Sequence, residues 1–310
     1  MSQGAPSAAR IKAMVFAAGL GTRLQPLTNE RPKPGVPVAN RTLASYSIGH
    51  LAKHGATRIV MNTHHLGGAL PALLGPDTPG SVELVFVHEE ALLGTGGGLR
   101  NAWPQLNVAD DELVVVMNGD VIYEPDLAGA VARHRKLDAV ATMVIRPDPN
   151  ARRYGAIETD ATSRVRRLLG KPESPRTDLD VFMFTGVHVL SPRAFKDLPI
   201  DGCIIRNSYR HWIDSGEVVA GFVDTSPWRD LGTLREYLDG NLHGRAGNLI
   251  DPSASVADAA VIEQSVIGKN VTVGADARLF RVVAWDNANI NEELSECVVT
   301  ATSVVKVPLA

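Results

Sequence analysis

The chain has 310 residues, of which 45% are hydrophobic and 21% are charged, and its formal net charge is −3. This composition indicates a globular protein with a core, excludes a disordered chain, and argues against nucleic acid or an anionic membrane surface as the main partner. The two cysteines, Cys203 and Cys297, are too few for a disulfide scaffold or a multi-cysteine zinc site. Because no run of about 20 apolar residues and no apolar signal segment is visible, we expect a cytoplasmic protein.

Short apolar strands alternate with helices through the first part of the chain. A strand is predicted at 11–18, and Gly55 is placed to end a helix over 43–54. Further strands are predicted at 58–62, 82–87, 112–117 and 139–145, and further helices at 66–74 and 125–136. This alternation predicts an α/β fold with a doubly wound, Rossmann-like sheet that binds its ligands beyond the carboxyl ends of the strands.

Residues 150–245 show a less regular pattern. Strands are predicted near 154–158 and 181–190, and helical stretches around 205–215 and 233–243. We interpret this part as an extension of the first domain, which then covers residues 1–245 and carries the second half of a cleft.

Residues 246–310 form a second unit with a different period. Apolar residues recur there in steps of six, with one step of five: Ile250, Val256, Ile262, Ile267, Val273, Leu279 and Trp285. This period is typical of hexapeptide repeats and predicts a short left-handed β-helix, with ordinary short strands as the alternative. No histidine follows His243 to act as a general base, which disfavours an acyltransferase. We expect this tail to bury an apolar face against the main domain or a second subunit, and to make the protein a homo-oligomer.

The segment after the first strand is rich in glycine, proline and basic residues. Gly19 and Gly21 allow backbone N–H groups to approach a ligand, and such a turn forms an anion-binding concavity. Arg23 and Lys33 add two cations, a combination that suits a triphosphate. A Walker loop is absent, and four prolines up to Pro37 prevent the helix that opens directly after a dinucleotide-binding fingerprint.

The run Gly-Leu-Gly-Thr-Arg-Leu-Gln-Pro-Leu-Thr at 19–28, followed by Pro-Lys-Pro at 32–34, resembles the signature of the sugar-1-phosphate nucleotidyltransferases, or nucleotide-sugar pyrophosphorylases. In that family an arginine and a lysine contact the triphosphate and stabilise the departing pyrophosphate, and by position these are Arg23 and Lys33. The resemblance implies an enzyme that transfers a nucleotidyl group from a nucleoside triphosphate to a sugar 1-phosphate.

Two acidic segments are candidates for a metal site. Asp120 closes Asn-Gly-Asp directly after a buried strand, and Asp230 lies far downstream in Trp-Arg-Asp-Leu-Gly-Thr. Two carboxylates could clamp one hard cation, and Mg²⁺ takes one or two carboxylates plus phosphate oxygens. A single aspartate in such a place is also typical of a turn or a helix cap. Both segments resemble the family's metal-binding segments, which implies Mg²⁺ as cofactor and these two aspartates as its ligands.

The resemblance also implies where the substrates bind. Glu89 and Gly94 stand where the family lines its nucleobase pocket, although a flexible turn with solvated glutamates is the alternative. The residues expected to bind the nucleotide are Ala18, Gly19, Gly21, Thr22, Glu89, Gly94, Thr95 and Asn118. Those expected to bind the sugar phosphate are Gly155, Lys171 and Thr185. Gly170 departs from the family pattern, because many members have a glutamate at its position.

The sequence leaves the nucleobase and the sugar open. The layout with a C-terminal hexapeptide tail is closer to that of the mannose-1-phosphate guanylyltransferases, which implies GTP and mannose 1-phosphate. The run Thr-Gly-Gly-Gly at 95–98 instead resembles the muramic-acid-1-phosphate uridylyltransferases, so the alternative is a uridylyltransferase acting on muramic-acid or glucose 1-phosphate. Two further alternatives are a catalytically silent relative that binds nucleotide-sugars and an unrelated NAD-binding dehydrogenase. Intact Arg23, Lys33, Asp120 and Asp230 speak against the silent relative.

Overall fold

The computed structural model describes residues 11–171 and 178–308, apart from the side chains of residues 153 and 154. Residues 1–10, for which no signal segment was predicted, lie outside this part. Pro172, which follows the predicted sugar-phosphate residue Lys171, also lies outside it. Within the described residues, no helix has both the length and the apolar character needed to cross a membrane.

The main domain consists of short strands and helices joined by 3₁₀ turns. Its strands are β1 (Ile11–Phe16), β2 (Pro37–Val38), β3 (Arg41–Thr42), β4 (Arg58–Thr63), β5 (Glu83–His88), β6 (Leu113–Asn118), β7 (Val121–Tyr123), β8 (Ala141–Arg146), β9 (Ile157–Thr159), β10 (Val165–Leu168), β11 (Asp180–Leu190), β12 (Val219–Val223) and β13 (Trp228–Asp230). Its helices are α1 (Leu43–Lys53), α2 (Leu70–Leu74), α3 (Gly94–Leu106), α4 (Leu127–Lys136), α5 (Ala151–Tyr154), α6 (Arg210–Asp214) and α7 (Leu234–Leu242).

One mixed sheet runs through the main domain in the order β5–β4–β1–β6–β11–β8–β12, and β9 and β10 extend it beside the start of β11. Strands β5, β4, β1 and β6 are parallel, whereas β11 is antiparallel to both β6 and β8. The register places Phe16 beside Asn62 and Asn118, so the loops after β1, β4 and β6 leave the sheet at one edge. The predicted α/β fold with a mainly parallel central sheet is confirmed.

Helices cover both faces of this sheet. Successive residues of a strand point to opposite faces, so Ala13 and Val15 of β1 pack against α1, α2 and α4, whereas Met14 packs against α3 and α6. Burial on both faces explains why β1, β4 and β6 are apolar along most of their length.

The structure differs from the sequence prediction at three of its elements. Helix α3 occupies a glycine-rich stretch in which the sequence predicted no helix, because glycine has a low helix propensity that tertiary packing overrides here. The strand predicted near 154–158 begins only at Ile157, after the short helix α5. The helix predicted over 66–74 is a 3₁₀ turn, Gly67–Ala69, followed by the five-residue α2. Two glycines in the turn and a proline early in α2 account for this interruption.

The tail is a stack of very short strands in repeating register. These are β14 (Leu249–Ile250), β15 (Ser255–Val256), β16 (Val261–Glu263), β17 (Val266–Ile267), β18 (Thr272–Val273), β19 (Arg278–Ala284), β20 (Asn289–Ile290), β21 (Glu293–Val299) and β22 (Val304–Lys306). Leu249 lies beside Val266, Val266 beside Val283, and Val283 beside Val298, all in parallel. Cross-turn hydrogen bonds join residues 17 apart, which fits a β-helix. That this β-helix is left-handed remains a prediction.

The tail buries apolar side chains both inside its own stack and against the main domain. Ile267, Val273 and Leu279 belong to the core of the stack, as the six-residue pattern predicted. Trp285 continues the same spacing, but it packs with Tyr237 and Leu238 of α7 on the main domain. The first turn is less covered, and the Ile250 side chain in it is 40% exposed.

Candidate active site

A cavity of about 390 Å³ opens at the edge where the parallel strands β1, β4 and β6 end. Its lining includes the sequence-predicted cations, Arg23 and Lys33, and the predicted metal ligand Asp120. All the predicted nucleotide-binding residues also line it: Ala18, Gly19, Gly21, Thr22, Glu89, Gly94, Thr95 and Asn118. Residues drawn from four separate loops therefore meet in one place, as the carboxyl ends of a parallel sheet allow.

The loop between β1 and β2 is built from 3₁₀ turns, Thr22–Leu24, Leu27–Asn29 and Lys33–Gly35. Gly21 has a left-handed backbone, with φ of 64°, and a Cβ atom there would lie 2.8 Å from Thr28 Cγ2. The Thr28 hydroxyl in turn donates to the Gly21 carbonyl at 3.0 Å. The loop therefore closes tightly on itself at Gly21, which places Arg23 and Lys33 on the same side of the cavity.

Three charged side chains that line the cavity, Arg23, Lys33 and Asp120, form its polar end, and the predicted metal ligand Asp230 lies outside the lining but pairs with both cations. The Lys33 ammonium donates to Asp120 Oδ2 at 2.9 Å and lies 3.5 Å from Asp230 Oδ1. A terminal nitrogen of Arg23 lies 3.4 Å from Asp230 Oδ2. The Lys33 side chain is only 7% exposed, whereas that of Arg23 is 64% exposed. Lys33 is thus a fixed, poorly hydrated charge, whereas most of the Arg23 side chain, although paired with Asp230, remains in water.

The two aspartates come together because their strands pair. Strands β7 and β13 are antiparallel, and Asp230 lies beside Val121, the residue after Asp120. The segment before β13 is held to β7 by Asp224, which accepts a hydrogen bond of 2.8 Å from the Tyr123 hydroxyl.

Asp224 stays ionised in this position. Burial would raise the pKa of the carboxyl, but hydrogen bonds from the Asp126 backbone, the Tyr123 hydroxyl and Ser226 hold it below its ordinary value. Burial, reinforced by the bond to Asp224, raises the pKa of the Tyr123 hydroxyl, which therefore remains the donor of the pair.

The donor set at Asp120 and Asp230 suits a hard divalent cation. Both carboxylates face the Lys33 ammonium, so the structure already places one positive charge between them. Among the residues that the structure describes, no cluster of three or more histidine, cysteine, aspartate or glutamate side chains could hold a metal. A cation at this pair would therefore take its remaining ligands from phosphate oxygens and water, which is the coordination that Mg²⁺ favours.

The opposite end of the cavity is organised around a buried glutamate. Glu89 is 2% exposed; its Oε1 accepts from Asn62 Nδ2 at 2.7 Å and its Oε2 from the Leu93 backbone at 3.1 Å. The Asn62 carbonyl oxygen accepts from the Ala17 backbone at 3.0 Å. Glu89 is thus a rigid acceptor and not a member of a solvated pair, which corrects the alternative interpretation of this stretch.

The glycines of α3 serve chain packing more than ligand access. The backbone N–H groups of Gly96 and Gly97 both donate to the Gly202 carbonyl, at 2.8 and 3.3 Å. The Thr95 hydroxyl accepts from the Ile204 backbone at 3.1 Å. The start of α3 is therefore clasped by the segment 199–204, although Gly94 and Thr95 still face the cavity.

The residues predicted for the sugar phosphate, Gly155, Lys171 and Thr185, lie outside the lining of this cavity. The Thr185 hydroxyl is buried and donates to the Val144 carbonyl at 2.7 Å. Lys171 is exposed and closes a tight turn with Leu168. Gly170 sits in this turn with φ of 77°, a left-handed conformation that a glutamate adopts only at a cost.

Sequence reasoning missed several lining residues. Asn62 joins Glu89 to the first loop, and its signal was a polar residue at the end of a buried strand. Gly232 lies within the second acidic segment, two residues after Asp230, and a Cβ atom there would lie within 2.8 Å of the Arg23 guanidinium. Leu92 and Pro34 add apolar surface; Pro34 belongs to the Pro-Lys-Pro signature, whereas Leu92 had no sequence signal.

Comparisons with known proteins agree with this geometry. A family model described as nucleotidyl transferase matches residues 12–246. The chain belongs to this family. It is 28% identical over 298 residues to a mannose-1-phosphate guanylyltransferase of Mycobacterium tuberculosis, covering 91% of this chain and 81% of that protein.

Other relatives of this nucleotidyl transferase are named for different substrates. A UTP–glucose-1-phosphate uridylyltransferase of Synechocystis is 26% identical, covering 73% of this chain and 61% of that protein. A glucose-1-phosphate thymidylyltransferase of Streptomyces antibioticus is also 26% identical, covering 87% of this chain and 74% of that protein. Relatives named for three different nucleobases thus match at similar identity.

The loop geometry predicts a difference between its two glycines. Gly21→Ala adds a Cβ atom to a left-handed backbone and against Thr28, so we expect the free energy of unfolding to fall by about 1–3 kcal/mol. Gly19→Ala is the matched control, because its Cβ would meet nothing within 4 Å, and it should change stability by less than about 0.5 kcal/mol. Chemical denaturation measures both, and equal stability of the two variants would contradict the assignment.

Proposed function

We propose that this nucleotidyl transferase moves a nucleotidyl group from a nucleoside triphosphate to a sugar 1-phosphate and releases pyrophosphate, with GTP and mannose 1-phosphate as the first choice of substrates. The observation that carries the proposal is the position of the Lys33 ammonium, 2.9 Å from Asp120 and 3.5 Å from Asp230 at one end of the cavity. A polyphosphate would meet fixed positive charge there, next to two carboxylates suited to a cation.

The reaction needs alignment and charge neutralisation more than proton transfer. A phosphate monoester has a second pKa of about 6, so a sugar 1-phosphate is mostly a dianion at neutral pH and attacks the α-phosphorus without a general base. Lys33 and Arg23 would stabilise the negative charge that builds up on the departing pyrophosphate. The loop around Gly19 and Gly21 would hold the triphosphate in line with the nucleophile.

Lys33 is suited to this role because its side chain is poorly hydrated. An ammonium in a low-dielectric site interacts with phosphate more strongly than one in water. Asp120 and Asp230 would hold Mg²⁺, which supplies further neutralisation of the phosphate charge. Binding of the substrates then replaces the contacts between Lys33 and the aspartates with contacts to phosphate.

The choice of GTP is based on the domain layout, a main domain followed by a C-terminal tail, and on one relative. The guanylyltransferase from M. tuberculosis matches 91% of this chain, which is more than the main domain and therefore includes at least part of the tail. The rigid Glu89 carboxylate lies where it could accept from a guanine amino or imino group. A uridylyltransferase acting on glucose or muramic-acid 1-phosphate is the second candidate, favoured by the glycine run that begins α3 and by the Synechocystis relative.

A substrate panel tests the activity and the choice together. Purified protein is incubated with Mg²⁺, one of GTP, UTP, dTTP, CTP or ATP, and mannose, glucose, muramic-acid or heptose 1-phosphate. We expect pyrophosphate release to be fastest with GTP and mannose 1-phosphate. Faster release with UTP would replace the substrate assignment, and no release with any pair would contradict the proposed function and support a silent relative.

Variants of the charged cluster test the mechanism. Lys33→Ala and Asp120→Ala each remove one charge from the polar end of the cavity, where we propose that the phosphates bind. We expect turnover to fall by about 10²- to 10³-fold. Circular dichroism should show an unchanged fold, because the Asp120 side chain is 40% exposed and remains hydrated without its partner. Lys53→Ala is the control: it removes an exposed lysine that pairs with Glu124 outside the cavity, and turnover should stay normal. Near-normal turnover of both cluster variants would refute the roles.

We further propose that the tail joins copies of the chain into a homo-oligomer. Val261 and Phe280 point outward from neighbouring tail strands and are 43% and 42% exposed, while their neighbours Ile262 and Leu279 pack inside the stack. Light scattering at micromolar concentration should give a multiple of the monomer mass. A monomer at that concentration would contradict this proposal and leave the catalytic proposal unaffected.

A further inference from the structure

The loop that carries Arg23 and Lys33 has few backbone partners outside itself. Its backbone hydrogen bonds run mostly within single 3₁₀ turns, such as Leu24 to Gly21 at 2.9 Å and Glu30 to Leu27 at 3.1 Å. Such turns fix local shape but do not anchor the loop to a sheet. The position of its two cations must therefore depend on side-chain contacts.

Glu30, which lies between the two cations in sequence, is anchored to the tail. Its Oε1 atom accepts hydrogen bonds from the hydroxyls of Thr300, Thr302 and Ser303 at 2.9, 2.9 and 3.0 Å. These hydroxyls belong to the turn between β21 and β22. Within that turn the Thr300 hydroxyl also accepts from the Thr302 and Ser303 backbones, so the donors are held in place.

Arg31 reaches a second point of the tail. Its guanidinium lies 3.3 Å from Asp286 Oδ2 and 5.1 Å from the centre of the Trp285 ring. The Arg31 side chain is only 20% exposed, so water screens this ion pair less than a surface pair. Two adjacent loop residues thus bind two separate turns of the tail, and together these contacts fix both the position and the orientation of the loop.

The tail is itself firmly attached to the main domain on the far side of the loop. Trp285 Nε1 donates to the Tyr237 hydroxyl at 2.9 Å, and that hydroxyl donates to the Pro37 carbonyl at the end of the loop. Leu24 and Leu27 of the loop lie in the same apolar cluster as Trp285. The loop therefore packs between the main domain and the tail through Leu24 and Leu27.

We propose that Glu30 and Arg31 are positioning residues for nucleotidyl transfer, and that the tail turns at Trp285–Asp286 and Thr300–Ser303 hold the loop so that Arg23 and Lys33 face the phosphate end of the cavity. This inference rests on the proposed function for its catalytic consequence. It makes the tail part of the active-site architecture, in addition to any role in oligomerisation. Neither residue touches the cavity, so each acts through the loop.

The test combines kinetics with hydrogen exchange of the full-length chain. Glu30→Ala and Arg31→Met should each lower the kcat for pyrophosphate release about tenfold or more, because a displacement of about 1 Å costs up to a hundredfold in rate. Amide exchange in peptides covering residues 20–31 should become faster in both variants. Glu30→Gln keeps an Oε1 acceptor for the three hydroxyls and should restore most of the kcat.

Asp239→Asn is the matched control. It removes an ion pair of 2.6 Å between Asp239 of α7 and Arg281 of the tail, which loosens the tail without touching the loop. Its kcat and the amide exchange of residues 20–31 should remain those of the parent.

The proposal is overturned if Glu30→Ala and Arg31→Met keep a kcat within about twofold of the parent, or if exchange of residues 20–31 does not change. Should the parent release no pyrophosphate with any substrate pair, the proposed function fails. The exchange measurement then still decides whether the tail holds the loop.

Discussion

The buried ammonium of Lys33 joins three parts of the chain that are far apart in sequence. It contacts Asp120 at the β6–β7 turn and Asp230 on β13, and it is carried by the loop that follows β1. A buried charge without partners is costly, so the loop, the central sheet and the β7–β13 pair stabilise one another through this contact. The same contact partly neutralises both the cation and the two carboxylates.

Local patterns predicted the parts of the fold that depend on local physics. The alternation of apolar strands and helices placed the central sheet, because the inner strands β1, β4 and β6 are buried on both faces. Helix α3 was missed, because its glycines disfavour a helix and are there to let Gly96 and Gly97 approach Gly202. That reason lies about a hundred residues away and leaves no trace in the local composition.

The charged residues of the site were predictable to a similar extent. Arg23, Lys33 and Asp120 stand in short segments with characteristic neighbours, and the structure places them on one cavity. The contact of Glu30 with Thr300 joins residues 270 apart and involves ordinary polar side chains, so no spacing or motif could announce it. The sugar-phosphate residues were predicted by position alone, and the cavity described here does not include them.

The hydrogen bonds between the start of α3 and the Gly202 carbonyl affect how the cavity can hold negative charge. The first amides of a helix carry its positive pole and often bind anions. Here the amides of Gly96 and Gly97 donate to the Gly202 carbonyl, so only Gly94 and Thr95 of this first turn lie at the cavity. An anion in this cavity would therefore depend mainly on the side chains of Arg23 and Lys33 and on loop amides, and its retention would weaken as ionic strength rises.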